Sequence, residues 1–446
     1  MKPLLALLLM IGLISWHQPA VTAAPATNPR QFTLGYSAQG RPIEAIQFGN
    51  GPRKLVVVGN THGAPEANTY RLTLALIEHL RANPTLVPPD VRLFLIPTIN
   101  PDGIALGWRF DAFGVDLNRN METGLDACPE NDWRTRVFGA YGLLADTGGP
   151  YADSQVESRL VRAFLLDAAG AIFLHSNAGL VFPASCEHAP SIAMAEAYAT
   201  AAGYRYSRFW PLYNITGGMH DWAGSLGIAA ITPELITGDQ IEFDQNLAGL
   251  LAVLTEPERL LPMPEDGELA GFGVPAPIWR YWRALGGEAR FGLPLTPAEV
   301  TAEGISQTFA NTRLDLRHAL QDTLYYVQPA PLGSDAAATL AYGGATALVP
   351  AANPPEGRSF AETGHSLSAG FLAYWERGGG IDVFGLPLSG EFPATFADGS
   401  PGTVQYLERA VFAYNPADGS VRLEPLGANA LALEALRSPI AAQSVR

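Results

Sequence analysis

At residues 55–66 the chain reads LVVVGNTHGAPE, in which a short apolar run is followed by a polar segment. The run Leu55–Gly59 predicts a buried strand, because it is rich in valine and contains no polar side chain. The apolar spacing between Glu66 and Leu80 predicts a helix directly after it. A strand that is apolar on both faces indicates a parallel sheet covered by helices on both sides.

The alternation of strand and helix continues to about residue 260. We predict further buried strands over 91–96, 171–174 and 228–231, and helices over 156–168 and 243–254. This order favours an α/β domain over residues 30–260, with a mixed, mostly parallel sheet and helices on both faces. Chemistry in such sheets lies at the carboxyl ends of the strands, so the residues that follow each strand become the candidates.

Several of these strand ends carry polar side chains that suit one reaction. His62 and Glu66 follow the first strand, and His175 ends the third. Two imidazoles and one carboxylate suit a three-ligand zinc site that keeps an open position for water. Glu234, after the fourth strand, could accept a proton from that water. Taken singly, each residue is also consistent with a structural role, such as a buried histidine or a helix cap.

The order of the motifs favours the catalytic interpretation. The sequence has Asn-Pro-Asp-Gly at 100–103, Gly-Val-Asp-Leu-Asn-Arg-Asn at 114–120, His-Ser at 175–176, and Asp-Trp at 221–222 before Thr-Pro-Glu-Leu at 232–235. Together with the preceding His…Glu pair, this set resembles the zinc carboxypeptidase family over residues 30–260. The resemblance implies one zinc ion, held by His62, Glu66 and His175.

The resemblance also implies the catalytic roles. Glu234 matches the general base of the family, and Arg109 matches the arginine that stabilises the oxyanion. Asp116 matches the carboxylate that orients the first histidine, a role that metal-bound imidazoles generally need filled. The expected activity is hydrolysis of the C-terminal peptide bond by a zinc-activated water.

Four further residues match positions that bind substrate in the family. Asn118 and Arg119 match the pair that holds the C-terminal carboxylate, and Tyr213 matches a mobile tyrosine that closes over the substrate. Arginine binds a free carboxylate bidentately and an internal peptide bond would leave it unpaired, which favours an exopeptidase. His220 matches the position that senses the terminal side chain, where an imidazole disfavours basic residues and fits acidic, polar or small aromatic ones. The alternative is that His220 is a solvated loop residue.

The spacing of the first two ligands departs from the family. The family has His-x-x-Glu, whereas Glu66 is four residues after His62. Because Pro65 suits the first turn of a helix, we expect the additional residue to bulge out at Gly63–Ala64 and leave Glu66 directed at the metal. The alternative is a pseudoenzyme with weak or no zinc binding.

Other functions remain open on the sequence alone. The same fold could act as an amidase or carboxypeptidase on cell-wall peptides, or could deacylate small N-acyl amino acids. A non-catalytic protein that binds the cell wall or peptide ends is a further alternative.

Residues 265–430 contain a diverged duplication. The elements Tyr-Trp, Gly-Gly and Phe-Gly-Leu-Pro-Leu recur with an offset of 93, which predicts two small α+β modules over 265–333 and 361–430. An Ala-, Pro- and Gly-rich stretch over 334–360 indicates a linker. The modules loosely resemble cell-wall-associated repeats with a Leu-Gly-Phe-Pro motif, which implies possible binding of glycan or peptidoglycan. The aromatics Tyr281, Trp282, Tyr374 and Trp375 either bind such a ligand or form the module cores.

Composition and the first residues bear on location and partners. Residues 1–23 predict a cleaved signal peptide and hence a secreted or cell-surface protein, with no membrane span after its removal. In an oxidising compartment Cys128 and Cys186 are either paired or free. The 28 basic and 43 acidic residues give a net charge of −15, which argues against nucleic-acid binding.

Overall fold

The computed structural model describes residues 29–139, 142–339, 348–350, 357–396 and 398–443, with the backbone alone over 438–443. The predicted signal peptide over 1–23 lies outside the described residues, as does part of the predicted linker. Within the part of the chain that is described, no helix is both long and apolar enough to cross a bilayer.

One sheet organises the N-terminal domain. Its order is β1-β2-β4-β3-β7-β11-β9-β10, with β8 beside β11, and β5 and β6 form a separate hairpin. Strands β4, β3, β7 and β11 are parallel, whereas β1, β2 and β9 run antiparallel to their neighbours β2, β4 and β11. The predicted mixed, mostly parallel sheet is confirmed. The strands are β1 (Arg30–Tyr36), β2 (Pro42–Phe48), β3 (Arg53–Val58), β4 (Val91–Ile96), β5 (Val137–Phe138), β6 (Leu144–Ala145), β7 (Ala168–Phe173), β8 (His175–Ser176), β9 (Leu180–Pro183), β10 (Arg205–Tyr206) and β11 (Ala229–Leu235).

Helices cover both faces of this sheet. In β3, Leu55 and Val57 pack into the core on one face, and Val56 and Val58 pack into the core on the other. Successive side chains of a strand point to opposite faces, so an uninterrupted valine run serves both cores. Helices α1, α4 and α6 contribute to the first core, and α3 and α5 to the second. The helices are α1 (Ala67–Ala82), α2 (Pro101–Leu106), α3 (Val156–Phe164), α4 (Ala189–Ala202), α5 (Met219–Ser225), α6 (Phe243–Thr255) and α7 (Pro257–Leu260).

The C-terminal region repeats one set of elements twice. Each repeat has a hairpin, two helices, a four-stranded antiparallel sheet and a final helix. The first comprises β12 (Gly267–Leu269), β13 (Phe272–Val274), α8 (Ala276–Ala284), α9 (Gly287–Phe291), β14 (Glu299–Val300), β15 (Gly304–Thr308), β16 (Arg313–Arg317), β17 (Val327–Pro329) and α10 (Leu332–Thr339). The second comprises β18 (Gly357–Phe360), β19 (His365–Ser368), α11 (Ala369–Arg377), α12 (Gly380–Phe384), β20 (Phe392–Thr395), β21 (Pro401–Tyr406), β22 (Val411–Asn415), β23 (Ser420–Leu423) and α13 (Leu426–Gln443).

The two repeats exchange their final helices. At the start of α10 the Ser334 amide donates to the Glu408 carbonyl of the second repeat at 2.8 Å, and in α13 the Ala428 amide donates to the Ala310 carbonyl of the first at 3.0 Å. The residues 332–339 are therefore a helix packed on the second repeat, and the predicted linker, which begins at 334, is wrong over this part. The exchange joins both repeats into one interlocked unit.

The repeated aromatics lie in the core that both repeats share. Tyr281, Trp282 and Trp375 are buried there, and Tyr374 packs against it. The indole nitrogens of Trp282 and Trp375 each donate to the carbonyl of a following glycine, Gly292 or Gly385, at 2.9 Å. Of the two interpretations of these aromatics, their burial supports the structural one.

The C-terminal region packs against the amino ends of the parallel strands. Arg280 donates to the carbonyl of Ala168 at the start of β7 and to that of Leu226 before β11. Lys54 at the start of β3 pairs with Asp322 of the first repeat at 3.0 Å. The carboxyl ends of these strands lie at the opposite edge of the sheet, and the repeats leave that edge open.

Elsewhere in the N-terminal domain, Cys128 and Cys186 form a disulfide with a Cα–Cα distance of 5.8 Å.

Candidate active site

Three side chains that can bind a metal meet at the carboxyl edge of the sheet. His62 follows β3, Glu66 ends a 3-10 turn over Ala64–Glu66, and His175 belongs to β8. One nitrogen or oxygen from each of the three lies within 4.8 Å of the others. Nδ1 of His62 is 2.6 Å from Glu66 Oε1, and Nδ1 of His175 is 3.0 Å from Glu66 Oε2. All three side chains are buried.

The loop between His62 and Glu66 accommodates the additional residue. Gly63 has a φ of 50°, and a Cβ there would lie 2.2 Å from the Trp108 carbonyl oxygen, so only glycine fits. Pro65 lies in the 3-10 turn that follows. The Asn60 side chain donates to the carbonyls of Gly63 at 2.6 Å and Glu66 at 3.0 Å. The loop therefore bulges at Gly63, and the Glu66 carboxylate reaches both histidines.

Asp116 fixes the orientation of the first histidine. Its Oδ1 is 3.0 Å from His62 Nε2 and also accepts from the Asn118 amide. When Nε2 donates its proton to this carboxylate, Nδ1 is left with a lone pair directed at the other two ligands. Asp116 is completely buried, yet the Arg109 and His62 charges overcome the cost of burial and hold its pKa well below its usual range.

The cluster favours an ionised Glu66 and a neutral His175, which are two of the protonation states that metal binding needs. Burial disfavours the ionised Glu66 carboxylate, but the charges of His62 and His175 outweigh it and lower the pKa of Glu66. Burial lowers the pKa of His175 to about 4, against the opposing charge of Glu66. A carboxylate and neutral imidazoles are the forms that coordinate zinc.

Arg109 and Glu234 lie on two sides of the cluster. The Arg109 guanidinium donates to Asp116 Oδ2 at 3.0 Å and to Glu66 Oε1 at 3.2 Å. Glu234 is the register partner of His175 on neighbouring strands β11 and β8, and its Oε2 is buried without a hydrogen bond to any described residue. Burial, together with the Glu66 charge, raises the pKa of Glu234 well above its usual range.

Asn118 and Arg119 line the same cavity, which has a volume of about 290 Å³. Asn118 Oδ1 accepts from the Met219 amide at 2.9 Å, which turns the amide nitrogen of Asn118 towards His175 at 3.5 Å. Arg119 is held by the carbonyls of Phe138 and Asn118 at 2.8 and 2.6 Å. A buried arginine beside an amide donor forms a positive end to the cavity.

Tyr213 stands over that end. Its ring centroid is 5.8 Å from the Arg119 guanidinium, and its ring stacks on Phe138 at 6.0 Å and meets Trp210 edge-on at 5.9 Å. The wall residues Phe182, Trp210 and Ile215 are not among the candidates that the sequence motifs predict. Phe182 belongs to the antiparallel strand β9, and no motif in the sequence marks it or the loop that carries the other two.

His220 is placed differently from the other candidates. It is 2% exposed and lies outside the lining of the cavity, with its ring edge-on to Phe182 at 5.0 Å. Its Nδ1 has no hydrogen-bond partner among the described residues, and burial lowers its pKa. The alternative of a solvated loop residue is therefore wrong, and His220 contacts the cavity wall residue Phe182 from behind the lining.

This fold and donor set together define an α/β protein with a group of side chains that could hold a metal ion. The chain belongs to the zinc carboxypeptidase family, whose profile matches residues 20–256. Carboxypeptidase SOL1 of Arabidopsis thaliana is 29% identical over 103 residues, which is 21% of each chain. Inactive metallocarboxypeptidase ecm14 of Talaromyces marneffei is 28% identical over 134 residues, 27% of this chain and 22% of that one. The chain spans 12–22% of the length of the curated relatives that it matches. Among solved structures, bovine thrombin-activatable fibrinolysis inhibitor in complex with tick carboxypeptidase inhibitor has a TM-score of 0.43 and 18% identity, covering 51% of this chain and 90% of that one.

Proposed function

We propose that this protein is a secreted zinc metallocarboxypeptidase that removes the C-terminal residue from peptides. The proposal rests on the set of side chains that line one cavity. His62, Glu66 and His175 meet there, beside the unpartnered carboxylate of Glu234 and the buried guanidinium of Arg119. Secretion is supported by the sequence of residues 1–23 and by the disulfide.

The donor set fits one zinc ion. His62 and His175 would bind it through Nδ1 and Glu66 through its carboxylate, and Asp116 would accept the Nε2 proton of the His62 tautomer that this requires. Bound zinc would lower the pKa of a water molecule and polarise the scissile carbonyl. Two imidazoles and a carboxylate leave a position for that water.

The protein residues supply proton transfer and charge stabilisation. The Oε2 of Glu234 lies next to the His175 strand without a hydrogen bond to any described residue. The positive charge of bound zinc would favour the ionised form of Glu234, which would accept the proton from the attacking water. Arg109 would turn donors towards the developing oxyanion, and one such donor is typically worth about 3–4 kcal/mol. Its contacts with Glu66 and Asp116 hold it beside the proposed metal ligands.

The free carboxylate of the substrate would meet Arg119 and the Asn118 amide. An internal peptide bond would leave the buried guanidinium without a counter-charge, which costs more than a lost neutral hydrogen bond. The apolar walls Phe182, Trp210 and Ile215 would surround the terminal side chain. We therefore expect aromatic or aliphatic terminal residues to be cleaved faster than lysine or arginine.

The deciding experiment measures zinc content and C-terminal release with purified mature protein and a peptide library. We expect one zinc per chain and release that a chelator abolishes. Glu234→Gln should retain zinc and lose at least 1,000-fold in kcat, whereas the exposed control Glu268→Gln should match the wild type. Full activity in Glu234→Gln would contradict the mechanism.

The same assay separates the other functions. Cell-wall peptides and N-acyl amino acids are included as substrates, and preference for either would replace the peptidase assignment by that activity. One relative is named an inactive metallocarboxypeptidase. If the purified protein here contains no zinc and releases no residue, the result would indicate a peptide-binding role.

A further inference from the structure

The first C-terminal repeat contains a cavity of about 420 Å³ between its sheet and helix α13. The sheet side presents Ser306 and Thr308 from β15 and Arg313 and Asp315 from β16. Cavities of about 300–1,000 Å³ are typical of small-molecule sites. This cavity lies on the C-terminal region, which contacts the amino edge of the main sheet, so it is separate from the candidate active site.

In the second repeat, described side chains fill the equivalent position. Strands β15 and β16 correspond to β21 and β22, because Thr308 pairs with Arg313 as Tyr406 pairs with Val411. The amides of Leu295 and Leu388 likewise both donate at 2.8 Å to the carbonyls of Thr308 and Tyr406. With this correspondence, the counterparts of the four polar residues are Val404, Tyr406, Val411 and Ala413.

Those four counterparts form an apolar core beneath helix α10. All are completely buried and pack with Leu332 and Ala337 of that helix. In the first repeat, α13 covers the sheet in the same way, but the floor is polar and the space is open. The second repeat thus fills this space with apolar side chains that stabilise its fold. The first repeat has a polar cavity there, which indicates that a ligand binds in it.

The chemistry of the cavity fits a sugar. Ser306 and Arg313 both donate to Asp315 Oδ1, at 2.7 and 2.9 Å, and Arg313 is 40% exposed, so the floor offers both donors and acceptors. The opposite wall has the apolar side chains Leu332 and Leu431. A pyranose ring has hydroxyls at its edge and C–H groups on its faces, and it can satisfy both surfaces at once.

The charges favour a neutral ligand. Arg313 pairs with Asp315, and Arg317 pairs with Glu303 at 3.0 Å, so no lining arginine lacks a counter-charge. Glu299 and Glu434 also line the cavity and give it an excess of acid. An anionic ligand would be repelled.

We propose that the cavity between β14–β17 and α13 of the first repeat is a binding site for a neutral oligosaccharide. Sugar binding at this cavity does not depend on the peptidase activity, because the two cavities share no lining residue. The sugar would bind to the sheet of the first repeat and not to the buried tryptophans Trp282 and Trp375.

Three trisaccharides test the site, by calorimetry and saturation-transfer NMR on the mature chain. We expect cellotriose or chitotriose to bind and trigalacturonic acid to bind at least tenfold more weakly. Thr308→Tyr, which installs the residue of the second repeat, should fill the cavity and weaken binding at least tenfold without lowering Tm. Asp315→Asn should also weaken binding. Because this change is smaller, it tests the site even if Thr308→Tyr fails to fold.

The control Thr395→Tyr places the same ring on an exposed strand position of the second repeat and should bind as the wild type does. The proposal is overturned when neither neutral trisaccharide binds, when the anionic one binds equally well, or when Thr308→Tyr retains wild-type affinity.

Discussion

Lys54 at the start of β3 and Asp322 in the first repeat form a buried ion pair, with Nζ 3.0 Å from Oδ1. The ammonium group also donates to Asp167 at 2.8 Å and to the Phe164 carbonyl at 2.7 Å. A lysine with no exposed surface needs all of these partners, because an unpaired buried charge is costly. The repeat therefore completes a polar cluster that begins in the N-terminal domain.

We predict that Asp322→Ala lowers the free energy of unfolding by about 2 kcal/mol, the usual range for a lost hydrogen bond to a charged group. The remaining contacts of Lys54 with Asp167 and Phe164 limit the loss. Chemical denaturation followed by fluorescence measures it, with the exposed acid variant Glu265→Ala as the control. Equal stability of the two variants would show that the repeat does not support the N-terminal domain.

A second prediction concerns Gly63. A Cβ there would meet backbone atoms of Trp108 and Gly103, so Gly63→Ala should displace the loop and move Glu66 from the histidines. We expect zinc affinity to fall at least tenfold. Gly114→Ala is the matched control, because Gly114 also has a positive φ of 81° but open space around it. Metal titration of both variants decides, and unchanged affinity in Gly63→Ala would contradict the role of the bulge.

The sequence predicted the elements that have a clear apolar period. Strand β4 matches its predicted bounds, and β3, α1 and α6 match within two residues. Helix α4 was not predicted, because it is rich in alanine and has no polar stripe to reveal its period. The edge strand β1 and its neighbour β2 were also missed, since both pair antiparallel outside the βα alternation.

In the candidate site, too, only residues that belong to a sequence pattern could be predicted. Residues within motifs, such as His62, Glu66 and Asp116, are brought together in the structure, although their roles stay predictions. The bulge at Gly63 followed from the Pro65 signal, but the wall residue Phe182 comes from a strand with no motif. Contact of Asp322 with Lys54 spans 268 residues, and no local pattern encodes such a distance.

The disulfide gives a third prediction. It closes a loop of 58 residues between Cys128 and Cys186, which in the chain-entropy model stabilises the fold by about 4 kcal/mol. We expect Cys128→Ser with Cys186→Ser to lower the stability by that amount under oxidising conditions. Under reducing conditions the wild type and the double variant should have the same Tm. A wild-type Tm that reductant does not change would contradict a formed, stabilising bond.

A last prediction concerns the pH dependence of stability and rests on Glu157 in the first turn of α3. Its Oε1 accepts from the Ala38 amide at 3.0 Å, whereas its Oε2 is buried without a partner among the described residues. Burial, with smaller contributions from Asp111 and Asp102, raises the pKa of Glu157 to about 7. The usual pKa of a glutamate in an unfolded chain is about 4.3.

Between these two values the folded chain holds a proton on Glu157 that the unfolded chain has released. Unfolding then releases a proton, so stability is complete below about pH 4.3 and falls as the pH rises to about 7. At 1.36 kcal/mol per pKa unit, the full loss is roughly 4 kcal/mol. Glu157→Gln keeps the acceptor for Ala38 and cannot ionise, so its stability relative to the wild type should rise over this range, measured by denaturation at pH 4.5, 6 and 7.5. The stability of the exposed control Glu130→Gln should depend on pH as that of the wild type does. If the stability of Glu157→Gln also ran parallel to the wild type from pH 4.5 to 7.5, Glu157 would be ionised in the folded chain at pH 4.5.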